Sequence, residues 1–386
     1  MSLQLTATGS PVPAQPRALP AWVYSNADMT RLEMQRVLAS SWQIICHVSD
    51  IPKPGDYVTF ELGNESVFAV RDRDGGVRAF HNVCRHRGAK MLDGRGNCPG
   101  AITCPYHGWS YRHDGTLLGM PVKDSFPNLD RATHGLVPVK VEVALGFVWV
   151  CLSGNPAPVA SMWAGLAQEL APYQFERMVP IAPFYHEVWD ADWKIAMDNY
   201  LESYHVPIGH PGLYRMFTPD FEDQASVPGI ARGTSWLKET PSSRWSERLY
   251  QKMVRDTVTQ LPDKLRGCWR FYSVLPNLGI DIFPEQMDFF QILPLGPGRA
   301  AIRGGIYGLP DDRREMKLLR WLGARINRQV NSEDRELCNR VQRGLASSSY
   351  QPGPLSTLEC WMLEFHDLLR AKIPEIRLPA EPARFA

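Results

Sequence analysis

Hydrophobic and polar residues alternate with two different periods along the chain. Between positions 42 and 153, short β-forming runs are separated by turns rich in Gly, Pro and Asp. Farther along, apolar runs at 268–275, 278–283, 286–295 and 299–308 predict an antiparallel meander. Helical spacing of apolar residues predicts helices at 25–41, 192–205 and 312–346. These elements define an α+β fold: a small antiparallel β domain and a larger domain whose antiparallel sheet is covered by helices.

Three segments follow from this division. Residues 1–41 form an N-terminal arm and a helix that packs on the larger domain, and 1–20 are expected to be a flexible arm. Residues 42–153 form the small β domain. Residues 154–386 form the larger domain, which begins with a Gly- and Pro-containing linker at 154–158. The polar, Arg-rich stretch 219–263 predicts no clear element.

Composition excludes several classes of protein. The 386 residues carry 42 Lys and Arg against 41 Asp and Glu, which argues against a nucleic-acid binder. Eight cysteines are too few for a disulfide scaffold. We find no signal peptide and no apolar stretch of about 18 residues, so we expect a cytoplasmic protein without a membrane span. Twelve tryptophans suggest aromatic clusters or an apolar pocket.

Two cysteine–histidine pairs supply the strongest chemical pattern. Cys84-x-His86 and Cys104-x-x-His107 each lie at the end of a predicted short strand. Two thiolates and two imidazoles in this order fit a Rieske [2Fe–2S] centre, with Cys on one iron and His on the other. Structural zinc is the alternative, although zinc fingers usually place both histidines together. The loops also contain residues with expected supporting roles, namely glycines that admit close backbone approach and aromatic rings that shield the cluster: Gly88, Gly108, Trp109 and Tyr111.

A second constellation follows at 198–210. On one continuous helix Asp198, Glu202 and His205 would share a face, Pro207 would end the helix, and His210 would lie in the next loop. Two histidines and one carboxylate make a facial triad that suits Fe(II). Asp334 is the predicted carboxylate, because apolar residues follow it at helical spacing, whereas Glu333 lies on a wetter face. The alternatives are ordinary hydrogen-bonded histidines and a buried Asp paired with Arg or His.

In this order, the two motifs resemble the terminal oxygenase (alpha) subunit of Rieske non-haem iron oxygenases. The resemblance implies that a reductase or ferredoxin passes electrons from NAD(P)H to the cluster, and that a mononuclear Fe(II) then activates O₂. It implies that Glu202 bridges His205 to His107 of a neighbouring subunit in a homotrimer; the alternative is that Glu202 only orients His205. Whether a beta subunit is also present is left open. Many members of the family have Asp at the bridging position. The Glu found here is similar to the branch of the family that acts on quaternary amines, such as carnitine monooxygenase. Asp198 and Asn199 are weaker supporting residues.

The substrate is predicted less sharply. Residues 341–345 and 350–353 resemble choline and glycine-betaine monooxygenases, and Glu202 resembles carnitine monooxygenase. These resemblances favour monooxygenation or N-demethylation of a small quaternary amine. Aromatic-ring-hydroxylating dioxygenases share the layout and are the alternative. An electron-transfer protein with a Rieske centre alone, and a zinc-stabilised binding module, are more distant alternatives. Candidate pocket residues are Tyr214, Phe217, Trp236, Trp269, Phe271, Tyr272, Phe283, Phe289, Phe290 and Tyr307. A basic rim of Arg85, Arg87, Lys90 and Arg95 would favour an acidic electron donor.

Overall fold

The computed structural model describes residues 15–218 and 222–382, and it confirms the α+β fold. Three small antiparallel sheets build the first half. One contains, in spatial order, Val77–His81, Glu65–Arg71, Asp56–Leu62 and Arg95–Asn97. A second contains Gln43–His47, Phe147–Cys151 and Lys140–Ala144, and the third contains Ile102–Thr103, Ser110–Tyr111 and Leu117–Gly119.

An eight-stranded antiparallel sheet forms the centre of the second half. The predicted meander is present as four consecutive neighbours, each paired with the next along the chain, so short turns connect them. Its strands, in spatial order, are Val179–Pro180, Arg299–Gly308, Met287–Gly296, Leu278–Ile282, Cys268–Val274, Ile230–Trp236 and Glu222–Val227, with Tyr185–Trp189 also paired to Arg299–Gly308.

Helices pack against this sheet, and the helices and the turns between them carry the residues of the second candidate site. The predicted helical stretch at 312–346 is one continuous helix, Arg314–Leu345. No helix within 15–218 and 222–382 combines the length and apolar character needed to cross a membrane. The other α-helices are Ala27–Leu32, Val159–Trp163, Ala167–Leu170, Trp193–Tyr200, Val206–Gly209, Pro211–Met216, Trp245–Thr257 and Cys360–Lys372.

The helix predicted at 25–41 is present as an α-helix over Ala27–Leu32 that continues as a π-helix over Glu33–Leu38. Two other local predictions were wrong. The helix predicted at 192–205 ends at Tyr200, so Glu202 and His205 lie in the turn that follows it. The stretch thought to lack elements contains Ile230–Trp236 and Trp245–Thr257. The helix Trp245–Thr257 buries Tyr250, Val254 and Thr257 at helical spacing, but its many charged residues obscured this pattern in the sequence.

The N-terminal segment packs on the second half of the chain. Residues 1–14 of the predicted flexible arm lie outside the described residues, whereas Ala18 donates its N–H to the carbonyl of Gly353 at 3.0 Å. Farther along, the buried ammonium of Lys194 lies 2.7 Å from Glu33 and 2.6 Å from Asp192, with all three side chains at most 1% exposed. A buried charge needs such partners, so these ion pairs tie the first helix to Trp193–Tyr200.

Candidate metal centres and the adjoining pocket

Two similar turns bring the four predicted cluster ligands together. Cys84 and Cys104 are buried at 3% and 2% exposure, and the Nδ1 atoms of His86 and His107 lie 3.1 Å apart. Thiols converge on the buried side and imidazoles on the half-buried side. This donor set fits a [2Fe–2S] cluster with two sulfur and two nitrogen ligands.

Each turn is closed in the same way. The N–H of Gly88 donates to the carbonyl of Cys84, and the N–H of Gly108 donates to that of Cys104. Both glycines have positive φ, +75° and +71°, where other residues are strained. No protein atom outside its chain neighbours lies within 4 Å of a Cβ added at Gly88. The positive φ, and not steric crowding by the protein, therefore explains the glycine there.

Two aromatic side chains surround the cysteine–histidine turns. Trp109 stacks on His86 with ring centroids 5.0 Å apart, and it covers one side of that imidazole. The Tyr111 hydroxyl accepts the N–H of Arg85 at 3.1 Å and lies 3.4 Å from Sγ of Cys84. Hydrogen bonds to the ligating sulfur are one means by which a protein sets the reduction potential of such a cluster.

The predicted basic rim is only partly available. Lys90 pairs with Glu61 and Asp93, and Arg95 pairs with Asp50 at 2.8 Å. Arg85 and Arg87 are exposed beside the half-buried histidines, and the Arg87 guanidinium lies over the Tyr106 ring. The rim therefore has two prominent charges rather than four.

A second centre lies where the Trp193–Tyr200 helix ends. The carboxylate of Glu202 accepts the backbone N–H of His205 at 3.0 Å and contacts its Nδ1 at 2.5 Å. Because a carboxylate can only accept, Nδ1 carries the proton and Nε2 is left as an electron-pair donor. Pro207 does not end the helix as expected; it lies in the first turn of Val206–Gly209, where its missing N–H costs nothing.

His210 is oriented in the same manner from the long helix. Its Nδ1 lies 2.9 Å from the carboxylate of Glu333, while its Nε2 lies 3.1 Å from Nε2 of His205 and 2.9 Å from Oδ1 of Asp334. Ligand atoms of His205, His210 and Asp334 all lie within 4.8 Å of one another. Glu333, which the sequence placed on a wetter face and gave no role, contacts the Nδ1 atom of His210 on the side of the ring away from the convergence point.

The three converging atoms are all electron-pair donors. Oδ1 of Asp334 is buried without a well-formed hydrogen bond among the described residues, and each Nε2 faces the other imidazole. Burial disfavours the charged form of His210, but Asp334 and Glu333 outweigh it and raise its pKa. Two imidazoles and one carboxylate with a negative surrounding field fit a divalent metal such as Fe(II).

The remaining predicted residues of this segment separate. Asn199 lies beside the centre, with Nδ2 3.5 Å from Nε2 of His205. Asp198 was predicted to share a helix face with Glu202 and His205, but it does not. Its carboxylate instead accepts a hydrogen bond from the Tyr24 hydroxyl at 3.0 Å and contacts His366 at 2.9 Å. Its position indicates a role in joining helices rather than contact with a metal.

A cavity of about 190 Å³ opens next to the second centre. His205, His210 and Asp334 line one side, and the meander lines the other. Of the aromatic residues predicted to line it, four do so: Trp269, Phe271, Phe283 and Phe290. The others do not: Tyr214, Phe217, Trp236, Tyr272, Phe289 and Tyr307.

Strand alternation explains two of these errors, Phe289 and Tyr272. Phe290 faces the cavity, so its neighbour Phe289 points to the opposite face of the sheet and is fully buried there. Tyr272 likewise points away and donates its hydroxyl to Glu169. Tyr307 is buried with its hydroxyl on Asp50, and Phe217 packs behind Trp269. Tyr214 is largely exposed, and Trp236 is the last residue of its strand.

Several cavity residues were missed by the sequence interpretation. Asp281 and Asp288 line it from neighbouring strands, and Tyr185 and Tyr200 lie beside them. A detectable signal existed for the two acids, because each interrupts an otherwise apolar run in the meander. A carboxylate in such a buried strand needs an explanation beyond packing.

Comparisons with known proteins agree with both centres. The family described as the Rieske [2Fe–2S] domain matches residues 41–133, and the family described as the ring hydroxylating alpha subunit (catalytic domain) matches residues 175–375. The chain therefore belongs to the Rieske-type ring-hydroxylating oxygenase alpha subunits, as the resemblance predicted.

Three curated relatives show where in this family the chain lies. The glycine betaine monooxygenase oxygenase subunit of Chromohalobacter salexigens is 30% identical, with 91% of this chain and 84% of that protein covered. The carnitine monooxygenase oxygenase subunit of Acinetobacter baumannii is 29% identical, with 86% of each chain covered. The chloroplastic choline monooxygenase of Spinacia oleracea is 30% identical, with 83% of this chain and 70% of that protein covered.

Solved structures agree on the fold. A quaternary ammonium Rieske monooxygenase superimposes with a TM-score of 0.79 at 23% identity, with 96% of this chain and all of that chain covered. Naphthalene 1,2-dioxygenase from Rhodococcus sp. gives 0.74 at 20% identity, with 92% and 94% covered. The chain is thus an oxidoreductase of a family with a Rieske cluster and a mononuclear non-haem iron, close to quaternary amine monooxygenases. Terminal oxygenases of this kind receive electrons from a reductase or ferredoxin and use O₂.

Proposed function

We propose that this chain is the oxygenase component of a monooxygenase that hydroxylates or N-demethylates a small quaternary amine. Cys84, His86, Cys104 and His107 ligate the cluster, and His205, His210 and Asp334 ligate the mononuclear iron. The observation that carries the proposal is the convergence of two imidazole Nε2 atoms and a buried Asp334 oxygen at the wall of the cavity. The relatives that act on glycine betaine, carnitine and choline support the substrate class.

The protein's own residues supply orientation and exclusion of water. Glu202 and Glu333 fix the imidazoles so that both Nε2 atoms face the same point. Aromatic rings of the meander enclose the space where a substrate would lie. When bound, the iron supplies O₂ activation, and a facial triad leaves coordination positions free for O₂ beside the substrate.

The proposal includes a homotrimer in which electrons cross between subunits. Glu202 lies half-buried beside exposed Tyr204 and Ile208, so the second centre has an apolar surface next to it. Tyr106 and Val83 are exposed around the cysteine–histidine turns. Two such surfaces would fit each other across a subunit boundary, with Glu202 between His205 and the neighbour's His107. One related structure was described in terms of inter-subunit electron transfer.

The cellular setting is proposed on the same basis. None of the eight cysteines, all within the described part of the chain, forms a disulfide, which fits the reducing cytoplasm and cluster assembly there. Exposed Arg85 and Arg87 beside the half-buried histidines would attract an acidic reductase or ferredoxin.

Reconstituted holoenzyme with a reductase tests the activity. We expect choline, carnitine or glycine betaine to stimulate O₂ uptake, with formaldehyde and the demethylated amine as products of N-demethylation, or a hydroxylated or aldehyde product of hydroxylation at another carbon. A matched panel of naphthalene and substituted benzenes serves as the other arm. Stimulation by the aromatic panel alone, with cis-diol products, would assign the chain to the ring-hydroxylating dioxygenases instead.

A further inference from the structure

Two carboxylates, buried Asp288 and half-buried Asp281, face each other across the floor of the cavity. Asp281 and Asp288 are directly opposite residues on the neighbouring strands Leu278–Ile282 and Met287–Gly296, and both line the cavity. Opposed residues on antiparallel strands have Cβ atoms about 5 Å apart, so the two charges act on each other strongly. We call these two residues the acidic pair.

Among residues 15–218 and 222–382, no Lys or Arg forms an ion pair with the acidic pair. Asp281 accepts one hydrogen bond from the Tyr200 hydroxyl at 2.6 Å. Oδ1 of Asp288, a residue only 7% exposed, has no hydrogen-bond partner among the described residues. The single Lys or Arg among the lining residues, Arg232, is paired with Glu169 at 2.8 Å. An unpartnered buried carboxylate is costly and calls for a ligand.

Aromatic rings stand beside the carboxylates because glycines make room for them. A Cβ on Gly279 would lie 2.3 Å from the Phe290 ring, and a Cβ on Gly304 would lie 2.4 Å from the Tyr185 ring. Phe290 in turn meets Tyr200 edge to face, with centroids 4.7 Å apart. Aromatic faces around a negative centre form the kind of site that binds methylated ammonium groups.

The electrostatics of the acidic pair agree with this geometry. Burial raises the pKa of both carboxyls, and Asp281 raises that of Asp288 further. Two adjacent buried carboxylates cannot both ionise easily without a positive neighbour. A cation between them would remove that repulsion and would be held in return.

We propose that Asp281 and Asp288 bind the positively charged ammonium group of the substrate against the rings of Tyr185, Tyr200 and Phe290. This inference rests on the proposed function and specifies how the substrate is recognised. The sheet would hold the cationic head, while the His205 side of the same cavity faces the bond to be oxidised.

Binding measured without turnover tests the inference. Choline and 3,3-dimethylbutan-1-ol have nearly the same shape, but only choline is charged. We expect anaerobic calorimetric titration of the oxidised holoenzyme to give choline an affinity at least about tenfold higher, which is about 1.4 kcal/mol. Asp288→Asn and Asp281→Asn should each weaken choline about tenfold or more and leave the neutral alcohol within about twofold.

Glu187→Gln is the matched control, because Glu187 lies on another strand of the same sheet and does not line the cavity. Equal affinity of the wild type for both molecules, or unchanged choline affinity in both Asn variants, would overturn the subsite. If quaternary amines stimulate O₂ uptake while the Asn variants bind choline normally, the subsite fails and the proposed function stands. If choline binds through Asp288 but no quaternary amine is oxidised, the subsite stands and the proposed substrate class fails.

Discussion

Replacing Glu333 with Gln separates the residue that would ligate the iron from the residue that orients a ligand. Glu333 contacts Nδ1 of His210 at 2.9 Å, whereas Asp334 contacts Nε2 of the same ring at 2.9 Å. Gln keeps an oxygen that can accept from Nδ1 but loses the charge. We expect the ring to stay in place and Fe(II) to bind more weakly.

The magnitude follows from the position of Glu333. Carboxylates that hold a metal-bound histidine typically contribute 10- to 100-fold to affinity, about 1.4 to 2.7 kcal/mol. The Glu333 side chain is 23% exposed, and solvent screens its charge. We therefore expect about tenfold for Glu333→Gln. Asp334→Asn removes an anionic ligand and should cost about 100-fold or more.

The assay measures Fe(II) affinity by anaerobic titration of protein whose mononuclear site has been emptied with a chelator. The visible absorbance of the cluster reports how many protein molecules retain their cluster. Glu336→Gln on the same helix is the control, since Glu336 pairs with Arg340 and Arg343 on the surface. Wild-type affinity in Glu333→Gln would refute the orienting role. An empty site in Glu333→Gln together with a filled one in Asp334→Asn would reverse the two assignments.

Three further outcomes test the packing and the cavity. Lys194→Met leaves the buried carboxylates of Glu33 and Asp192 without their cation, so urea denaturation should show a free energy of unfolding lower by about 3–5 kcal/mol. A decrease below about 1 kcal/mol would contradict the burial of these ion pairs. Gly279→Ala places a Cβ against the Phe290 ring, so we expect a higher KM with both metals retained, and an unchanged KM would show that the ring moves freely. Burial raises the pKa of Asp281 to about 7 and raises that of Asp288 well above its ordinary value. Choline affinity should therefore fall as the pH is lowered through about 7, where Asp281 loses its charge, and a flat profile would contradict the role of charge.

The sequence predicted the meander well because its apolar runs and turns are local signals. It did not predict which aromatic residues face the cavity. These strands are buried on both faces, so Phe289 and Phe290 are equally apolar neighbours and no alternation separates them. Only the register of the assembled sheet decides that Phe290 points inward.

The candidate metal residues were predicted from spacing, but the local structure was not. The sequence suggested one helix through His205, and the structure ends it at Tyr200. In a continued helix the N–H of His205 would bond to the carbonyl of Leu201, whereas here it bonds to the Glu202 carboxylate. Side chains that compete with backbone acceptors in this way end helices without a Gly or Pro signal.

Glu333 illustrates a different limit. Its neighbours at helical spacing suggested a wet face, and 23% exposure of its side chain agrees with that. The contact with His210 depends on where Val206–Gly209 meets the long helix, a tertiary contact between residues far apart in sequence. Helical spacing ranked Asp334 above Glu333, but it gave Glu333 no role.

The two sides of the cavity are formed by different kinds of secondary structure. Strands of the meander provide the floor with the acidic pair, and helices and turns provide the imidazoles and Asp334. Alternate positions along a strand can be exchanged without moving the helices opposite. Descendants of this chain could therefore acquire new substrates through a few floor substitutions while their oxygen chemistry is inherited intact.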